Sequence, residues 1–139
     1  MKKYFILLIP LILLCINFRS YSQDIIVEKF SKIPKYVDGC GCFFYLKKSD
    51  ENKNYYIFVS SGGNAAMKID GSIQRLKEIT EDYSNGYYGE FSNNYYEVII
   101  KGKKTGKGYE STNYKGKITV RNKQTAAEIT INFIGGCGC

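Results

Sequence analysis

The residues Gly39-Cys40-Gly41-Cys42 recur as Gly136-Cys137-Gly138-Cys139, the last four residues of the sequence. In an extended strand, residues two apart point to the same face, so each unit places both of its sulfurs on one side. If the two strands lie side by side, all four sulfurs gather in one patch. We therefore expect these units to join the beginning of the fold to its end.

The compartment is indicated by residues 1–22, which have the pattern of a secretory signal peptide. Two lysines precede the apolar run Phe5–Phe18, and Ser20 and Ser22 are small residues two apart. The run is short for a membrane-spanning helix. We expect cleavage after Ser22 and a secreted or periplasmic product, residues 23–139, that forms a single domain and does not span a membrane.

Cys15 gives an alternative, because a cysteine near the end of a bacterial lipoprotein signal can be acylated and anchor the chain to a membrane. Such a signal has a small residue just before the cysteine, whereas Leu14 precedes Cys15 and apolar Ile16 follows it. We expect Cys15 to be removed with the signal, and lipid anchoring is the minor alternative.

Export favours disulfides for the four remaining cysteines. A simple antiparallel pairing would join Cys40 to Cys139 and Cys42 to Cys137, although four cysteines allow three connectivities. One alternative is a four-thiolate site for zinc or copper. Another is a redox bridge within one Cys-Gly-Cys unit. We expect structural disulfides, with no metal and no cofactor.

Short segments rich in β-branched and aromatic residues fill the rest of the chain, separated by Gly and Asn turns. The alternation is clearest where Ala127, Ile129, Ile131 and Phe133 share one face. We predict an all-β fold, a single antiparallel barrel or sandwich of about seven to eight short strands stapled by disulfides. The segments predicted as strands are Cys42–Lys47, Tyr55–Ser61, Ala65–Ile69, Ile73–Ile79, Gly86–Phe91, Tyr95–Lys101, Lys117–Arg121 and Ala127–Phe133. Ile25–Phe30 could be a further, first strand or instead a mobile arm.

Turn-forming residues mark two connecting segments and one hairpin. Ser49–Asn54 is predicted as a polar turn, and Gly102–Gly108 as a Gly-rich basic loop. Asp70-Gly71 is a favoured hairpin pair, so Ile73–Ile79 should return as a partner strand. A short helix capped by Ser72 is the alternative for that segment, because its apolar residues are spaced by three.

The net charge of +7 is concentrated in one stretch near the end of the chain. A basic stretch can bind a polyanion such as an acidic polysaccharide, but lysines separated by Gly and Thr also suit solvated edges, which they protect from strand pairing. We favour the second interpretation and expect no nucleic-acid partner for an exported protein. The stretch contains Glu110 and the basic residues Lys101, Lys103, Lys104, Lys107, Lys115, Lys117, Arg121 and Lys123, of which the first four form the candidate basic loop.

Three tyrosine pairs, Tyr55-Tyr56, Tyr87-Tyr88 and Tyr95-Tyr96, suggest a binding surface. In a strand one member of each pair faces inward and the other outward, so the outward rings could line a patch for carbohydrate or protein. The alternative is that tyrosine is simply favourable on strand surfaces. The binding-surface candidates are Tyr56, Tyr87, Tyr88, Tyr95 and Tyr96.

Enzyme chemistry has little support. The sequence contains no His, which excludes Ser-His and Cys-His nucleophile pairs and the commonest general base. The carboxylates are scattered, and Gly102–Gly108 lacks the spacing of a phosphate-binding loop. We expect a protein that is not an enzyme.

The stretch Ala65–Gly71, which follows a cysteine strand and a signal peptide, resembles small exported bacterial proteins without assigned function. The order of cysteine strand, Asp-Gly hairpin, Gly-Tyr segment and final cysteine strand is also similar to the periplasmic barrels that inhibit lysozyme. Their Ser-Gly-Ser-Gly-like loop is replaced here by Ser84-Asn85-Gly86-Tyr87, so the resemblance implies fold more than activity.

From these features we expect a non-catalytic binding or inhibitor-like module. Its expected partner is a protein or an envelope component such as a polysaccharide. A thiolate metal-binding or redox protein that uses the two Cys-Gly-Cys units is the alternative.

Overall fold

A computed structural model describes residues 23–139, which form nine β-strands and one short helix. The predicted signal peptide and Cys15 lie outside these residues. In chain order the elements are β1 (Val27–Glu28), β2 (Gly41–Tyr45), α1 (Lys48–Asn52), β3 (Phe58–Ser61), β4 (Asn64–Ile69), β5 (Ser72–Asp82), β6 (Tyr87–Ser92), β7 (Tyr96–Gly108), β8 (Ser111–Asn122) and β9 (Glu128–Gly138).

Strands β2 to β9 form a closed barrel of eight antiparallel strands. Each strand pairs with the next one along the chain, and β9 returns to pair with β2. The extra strand β1 pairs with the end of β4, where Val27 lies opposite Ile69. The predicted all-β antiparallel fold is confirmed, in its barrel form, and closure leaves the barrel without a full-length free edge.

The turn between β4 and β5 explains how the chain reverses there. Asp70 and Gly71 have backbone φ angles of 51° and 85°, and both positions of a tight I′ hairpin turn require a positive φ. The segment Ile73–Ile79 accordingly lies in β5, where it pairs with β4 and β6. The helical alternative for this segment is wrong because the Asp-Gly turn directs the chain back along β4.

Aromatic rings fill the centre of the barrel. Phe44 is fully buried, and its ring centroid lies 5.5 Å from that of Phe58, 5.4 Å from that of Tyr87 and 4.3 Å from that of Phe133. These four residues come from four different strands. Because β6 does not pair with β2, the contact between Tyr87 and Phe44 links strands that are not neighbours in the barrel. Burial of apolar and aromatic surface of this kind is the main favourable contribution to folding.

The segment before β2 packs against the outside of the barrel and forms a second, smaller core. Phe30 and Val37 are buried there against Tyr56 and Val59. The backbone N–H of Phe30 donates to the Tyr56 carbonyl at 2.9 Å, and the Tyr56 N–H donates to the Phe30 carbonyl at 2.8 Å. Only Val27–Glu28 of the predicted strand Ile25–Phe30 is a strand, yet the segment is packed along its length rather than being a mobile arm.

The polar turn predicted at Ser49–Asn54 is wrong, because Lys48–Asn52 forms α1. The Glu51 N–H donates to the Lys47 carbonyl, which closes one helical turn. Asp50 is buried on this helix and its carboxylate accepts a hydrogen bond from Lys29 Nζ at 2.8 Å. This polar stretch thus forms a helix whose Asp50 contacts Lys29, in the packed segment before β2.

The loop predicted at Gly102–Gly108 is also wrong, because these residues continue β7 and pair with β8. Glycine and lysine have low intrinsic strand propensity. In the β7–β8 hairpin, however, cross-strand pairing continues from Tyr96 as far as Gly108, with one irregularity between Lys104 and Gly106. Pairing with a long neighbour outweighs the local preference.

The two strands of this hairpin approach closely where Gly102 lies opposite Gly116. A Cβ at Gly116 would overlap the carbonyl oxygen of Lys101 and lie 2.7 Å from the Gly102 Cα. We expect Gly116→Ala to lower the free energy of unfolding by about 1 to 3 kcal/mol, because neighbouring backbone would have to move. Urea denaturation measures this difference.

Gly106→Ala is the matched control in the same hairpin. Its added Cβ would meet only Asn113 Nδ2, at 3.9 Å, so we expect a change within about 0.5 kcal/mol. Equal losses in the two variants would contradict the role of close strand approach at Gly116.

Candidate functional site

Two disulfides connect β2 to β9, joining Cys40 to Cys139 and Cys42 to Cys137. Cys42 lies directly opposite Cys137 in the strand register, and the Cα–Cα distances are 4.5 Å and 4.0 Å respectively. The pairing expected for simple antiparallel strands is confirmed. The four-thiolate site and the bridge within one Cys-Gly-Cys unit are wrong, because each sulfur is bonded to a sulfur of the other unit.

The two bridges lie in different surroundings. Cys42 is 1% exposed and belongs to the barrel core, whereas Cys40 and Cys139 are exposed at the barrel end. Such bridges are typical of an oxidising compartment. Residues 23–139 contain no helix with the length and apolar character needed to cross a membrane. They also contain no cluster of three or more His, Cys, Asp or Glu side chains suited to a metal ion.

A cavity of about 540 Å³ opens at the disulfide end of the barrel. We call it the mouth cavity; Tyr83, Lys104, Thr112, Tyr114 and Cys137 line it. Strands β7, β8 and β9 project beyond the start of β6 at this end, so the cavity lies between their inner face and the β5–β6 turn that carries Tyr83.

Hydrogen bonds hold the tyrosines of this end in place. The Tyr83 hydroxyl donates to Glu81 Oε2 at 2.6 Å and lies 3.7 Å from Cys42 Sγ, and the Tyr87 hydroxyl donates to Glu81 Oε1 at 3.1 Å. Burial raises the pKa of both phenols well above the ordinary value for tyrosine, and the neighbouring Glu81 carboxylate raises it further. Both therefore remain neutral hydrogen-bond donors.

Glu78 lies close to this group. Partial desolvation and the nearby Glu81 raise the pKa of the Glu78 carboxyl above its ordinary value. The cluster supplies carboxylate acceptors beside aromatic rings, and none of its groups is a nucleophile paired with a base.

A second and larger hollow, of about 930 Å³, lies on the outer surface of strands β6 to β9. Ile99 and Ile134 line it together with Tyr88. Four lysines also line it: Lys101, Lys103, Lys115 and Lys117. Polar residues, among them Glu128 and Asn132, complete the lining. We call this space and its lining the lysine hollow.

The register places these lysines in two directly opposed pairs. Lys101 lies opposite Lys117, and Lys103 lies opposite Lys115. Like charges opposite each other across strands destabilise a sheet. None of the four forms an ion pair with another side chain of residues 23–139. The fold therefore holds, beside an apolar surface, four lysines without ion-pair partners among these residues.

Nearby carboxylates are occupied elsewhere or lie at the margin. Glu90 accepts a hydrogen bond from the Tyr88 hydroxyl at 2.5 Å, which raises the pKa of that phenol. Glu97 is paired with Arg121 at 3.7 Å. Glu128 lines the hollow at the first residue of β9, opposite Arg121. Glu90 and Glu97 are thus engaged by other side chains, and Glu128 is the carboxylate residue that lines the hollow itself.

In each predicted tyrosine pair one ring is buried and the other is more exposed, as expected. Three of the five residues named as binding-surface candidates are nevertheless the buried ones. Tyr56, Tyr87 and Tyr96 are 8%, 2% and 7% exposed and belong to the interior or to the second core, so they are not surface candidates. Burial and a hydrogen bond to Asp70 raise the pKa of Tyr96 to about 12. Tyr88 is half-buried on the outer face.

The outward tyrosines do not form one patch. Tyr88 lines the lysine hollow, whereas Tyr95 is 56% exposed in the β6–β7 turn. Tyr55 lines a separate hollow beside Lys29 and Asp50. The outward members of the three predicted pairs, Tyr55, Tyr88 and Tyr95, therefore do not share one surface.

The four lysines of the predicted basic loop are divided between different surfaces. Lys101 and Lys103 line the lysine hollow, and Lys104 lines the mouth cavity. Lys107 lies farther along β7, near the tip of the hairpin. Lys115 and Lys117, which lie opposite Lys103 and Lys101, belong to the predicted basic stretch but were not among the candidate site residues. Only the strand register shows that they line the lysine hollow as well.

Comparisons with protein-family models, with curated proteins and with solved structures found no match to this chain. The resemblances to small exported bacterial proteins and to lysozyme-inhibitor barrels stay predictions.

Proposed function

We propose that this protein is an exported, non-catalytic module that binds a protein partner with an acidic surface, and that the lysine hollow is the binding site. The observation that carries the proposal is that two opposed lysine pairs, Lys101 with Lys117 and Lys103 with Lys115, are held without ion-pair partners in the described chain around a mainly apolar surface. Charge repulsion inside a sheet lowers stability. An acidic partner would relieve that repulsion.

The apolar lining favours a protein over a polysaccharide. Ile99 and Ile134 line the hollow, and lysine side chains can add their aliphatic stems to an apolar surface. A protein interface typically combines an apolar centre with a polar and charged rim. The hollow is carried by paired strands of a disulfide-stapled barrel, and such a rigid surface loses little conformational entropy on binding.

A non-catalytic role fits the chemistry of both cavities. The sequence has no His, and the side chains that line the lysine hollow offer charge and apolar contact without an acid and base pair. The two disulfides and the predicted signal peptide support a location outside the cytoplasm.

The double variant Lys115→Glu with Lys117→Glu tests the proposal in two ways. Against a protein captured from the exported fraction and then purified, we expect its affinity to fall about 100-fold, and wild-type affinity to fall as salt rises. Without any partner, we expect its free energy of unfolding to rise by about 0.5 to 1 kcal/mol, because two repulsive cross-strand pairs become attractive. Calorimetric titration and urea denaturation measure these effects.

Lys32→Glu with Lys35→Glu is the matched control, since both lysines are exposed on the segment before β2. It changes the net charge equally but should leave the affinity within about twofold. If the control loses as much affinity, net charge alone explains binding and the hollow is not the site. If purified uronate or sulfated polysaccharides bind and no protein does, the partner class is wrong.

A further inference from the structure

One side of β7 has no strand neighbour near the tip of the hairpin. Strand β6 pairs with β7 only between Glu97 and Gly102. Residues 103–108 of β7 continue beyond that point and pair with β8 alone. Within the described part of the chain, this segment is a short free edge in an otherwise closed barrel, and we call it the β7 edge.

The orientation of the backbone indicates which groups this edge exposes. A Cβ at Gly86 would overlap the carbonyl oxygen of Gly102, so that carbonyl points toward β6, whereas the Lys101 carbonyl points toward Gly116 of β8. In an antiparallel strand, successive residues direct their N–H and C=O groups to alternate sides. The N–H and C=O of Lys104 therefore face the free side, where a strand can pair with them.

The β7 edge is basic and borders a cavity. Lys103, Lys104 and Lys107 form no ion pair with another side chain of residues 23–139. Lys104 also lines the mouth cavity, whose walls include the rings of Tyr83 and Tyr114. Lysines on an edge repel the same edge of a second copy, but they attract a strand that carries acidic residues.

We propose that the β7 edge is a second binding site, which takes an extended acidic segment of a partner protein as an added strand. Main-chain hydrogen bonds to Lys104 supply affinity, and alternate side chains of the segment supply specificity. Its apolar side chains enter the mouth cavity against Tyr83 and Tyr114, and its carboxylates meet the lysines. This site goes beyond the lysine hollow, with which it shares only Lys103.

The probe is the synthetic peptide acetyl-Glu-Val-Glu-Tyr-Glu-Val-Glu-amide, titrated into the oxidised protein and followed by NMR and amide hydrogen exchange. We expect exchange of the Lys104 amide to slow by about tenfold or more in the complex. A peptide with methyl groups on every backbone nitrogen keeps every side chain but has no main-chain N–H on either edge to donate to β7. We expect it to bind about tenfold more weakly.

Two variants at one position separate backbone pairing from charge. Lys104→Gln removes the charge and keeps the N–H, whereas Lys104→Pro removes both, at an edge position where proline is tolerated. We expect Lys104→Pro to bind the peptide about tenfold more weakly than Lys104→Gln does. Near-ultraviolet circular dichroism of the tyrosines checks that both variants keep the fold.

Three results would overturn the proposal. They are a methylated peptide that binds as well as the parent, equal affinities for Lys104→Pro and Lys104→Gln, and peptide-induced protection in the lysine hollow instead of at Lys104. The last result would leave the hollow as a binding site, since the affinity of its Lys115 and Lys117 variants is measured separately.

Discussion

Removal of both disulfides is expected to lower the free energy of unfolding by about 4 to 5 kcal/mol. The bridges join residues 99 and 95 positions apart in the sequence. Each therefore closes a loop of nearly the whole described chain and restricts the unfolded ensemble strongly. The variant combines Cys40→Ser and Cys139→Ser with Cys42→Ala and Cys137→Ala, because the inner pair borders the core. Urea denaturation against the oxidised parent measures the loss.

Each bridge removed alone should cost much less, since the remaining bridge closes almost the same loop. We expect about 1 kcal/mol or less for the exposed pair and about 1 to 2 kcal/mol for the inner pair, where a small cavity is added. The double-mutant cycle should then show a coupling of about 2 kcal/mol between the bridges. Additive losses would contradict the idea that the two bridges constrain the same loop.

Phe44→Ala is expected to lower the free energy of unfolding by about 3 to 5 kcal/mol. Phe44 is fully buried and contacts Phe58, Tyr87 and Phe133, which come from three other strands. The surrounding rings belong to a closed sheet and can collapse only partly into the space that is left. Thermal and urea unfolding of the oxidised variant measure the difference.

The neighbouring residue supplies the control. Phe43 points to the outside of the same strand, where it is half-buried against Tyr56 with a centroid distance of 5.9 Å. We expect Phe43→Ala to cost about 1 to 2 kcal/mol. If the two variants lose the same stability, the interior cluster is not the centre of the fold.

Much of the barrel was predictable because local signals agree with the final pairing. Asp70-Gly71 has the residues that a tight hairpin requires, and Ala127–Phe133 alternates with the period of a strand that has one buried face. The cysteine units are spaced so that simple antiparallel pairing brings sulfur opposite sulfur. In each case the residues that determine the structure are close in sequence or identical in pattern.

The missed elements depend on distant partners. Gly102–Gly108 has no strand signal of its own, and it is extended because β8 runs beside it. Lys48–Asn52 is helical where it docks against Lys29. Neither partner is visible in the local sequence, so propensity alone indicated a loop and a turn.

The candidate sites were less predictable than the fold for the same reason. Tyr83 and Tyr114 meet at the mouth cavity only after the barrel closes, and neither was singled out from the sequence. Lys115 and Lys117 join the lysine hollow because the register places them opposite Lys103 and Lys101. A one-residue change of register would send these side chains to the other face of the sheet.

The alternation of cysteine and glycine also sets the size of the barrel. In an eight-stranded barrel, diameter and strand tilt follow from the stagger accumulated around the sheet, and the β2–β9 seam is where that stagger is closed. A slip of one residue at the seam would place Cys42 opposite a glycine, and a slip of two would leave one cysteine of each unit unmatched. Complete oxidation thus selects a single stagger, so that thiol chemistry fixes the circumference of the protein.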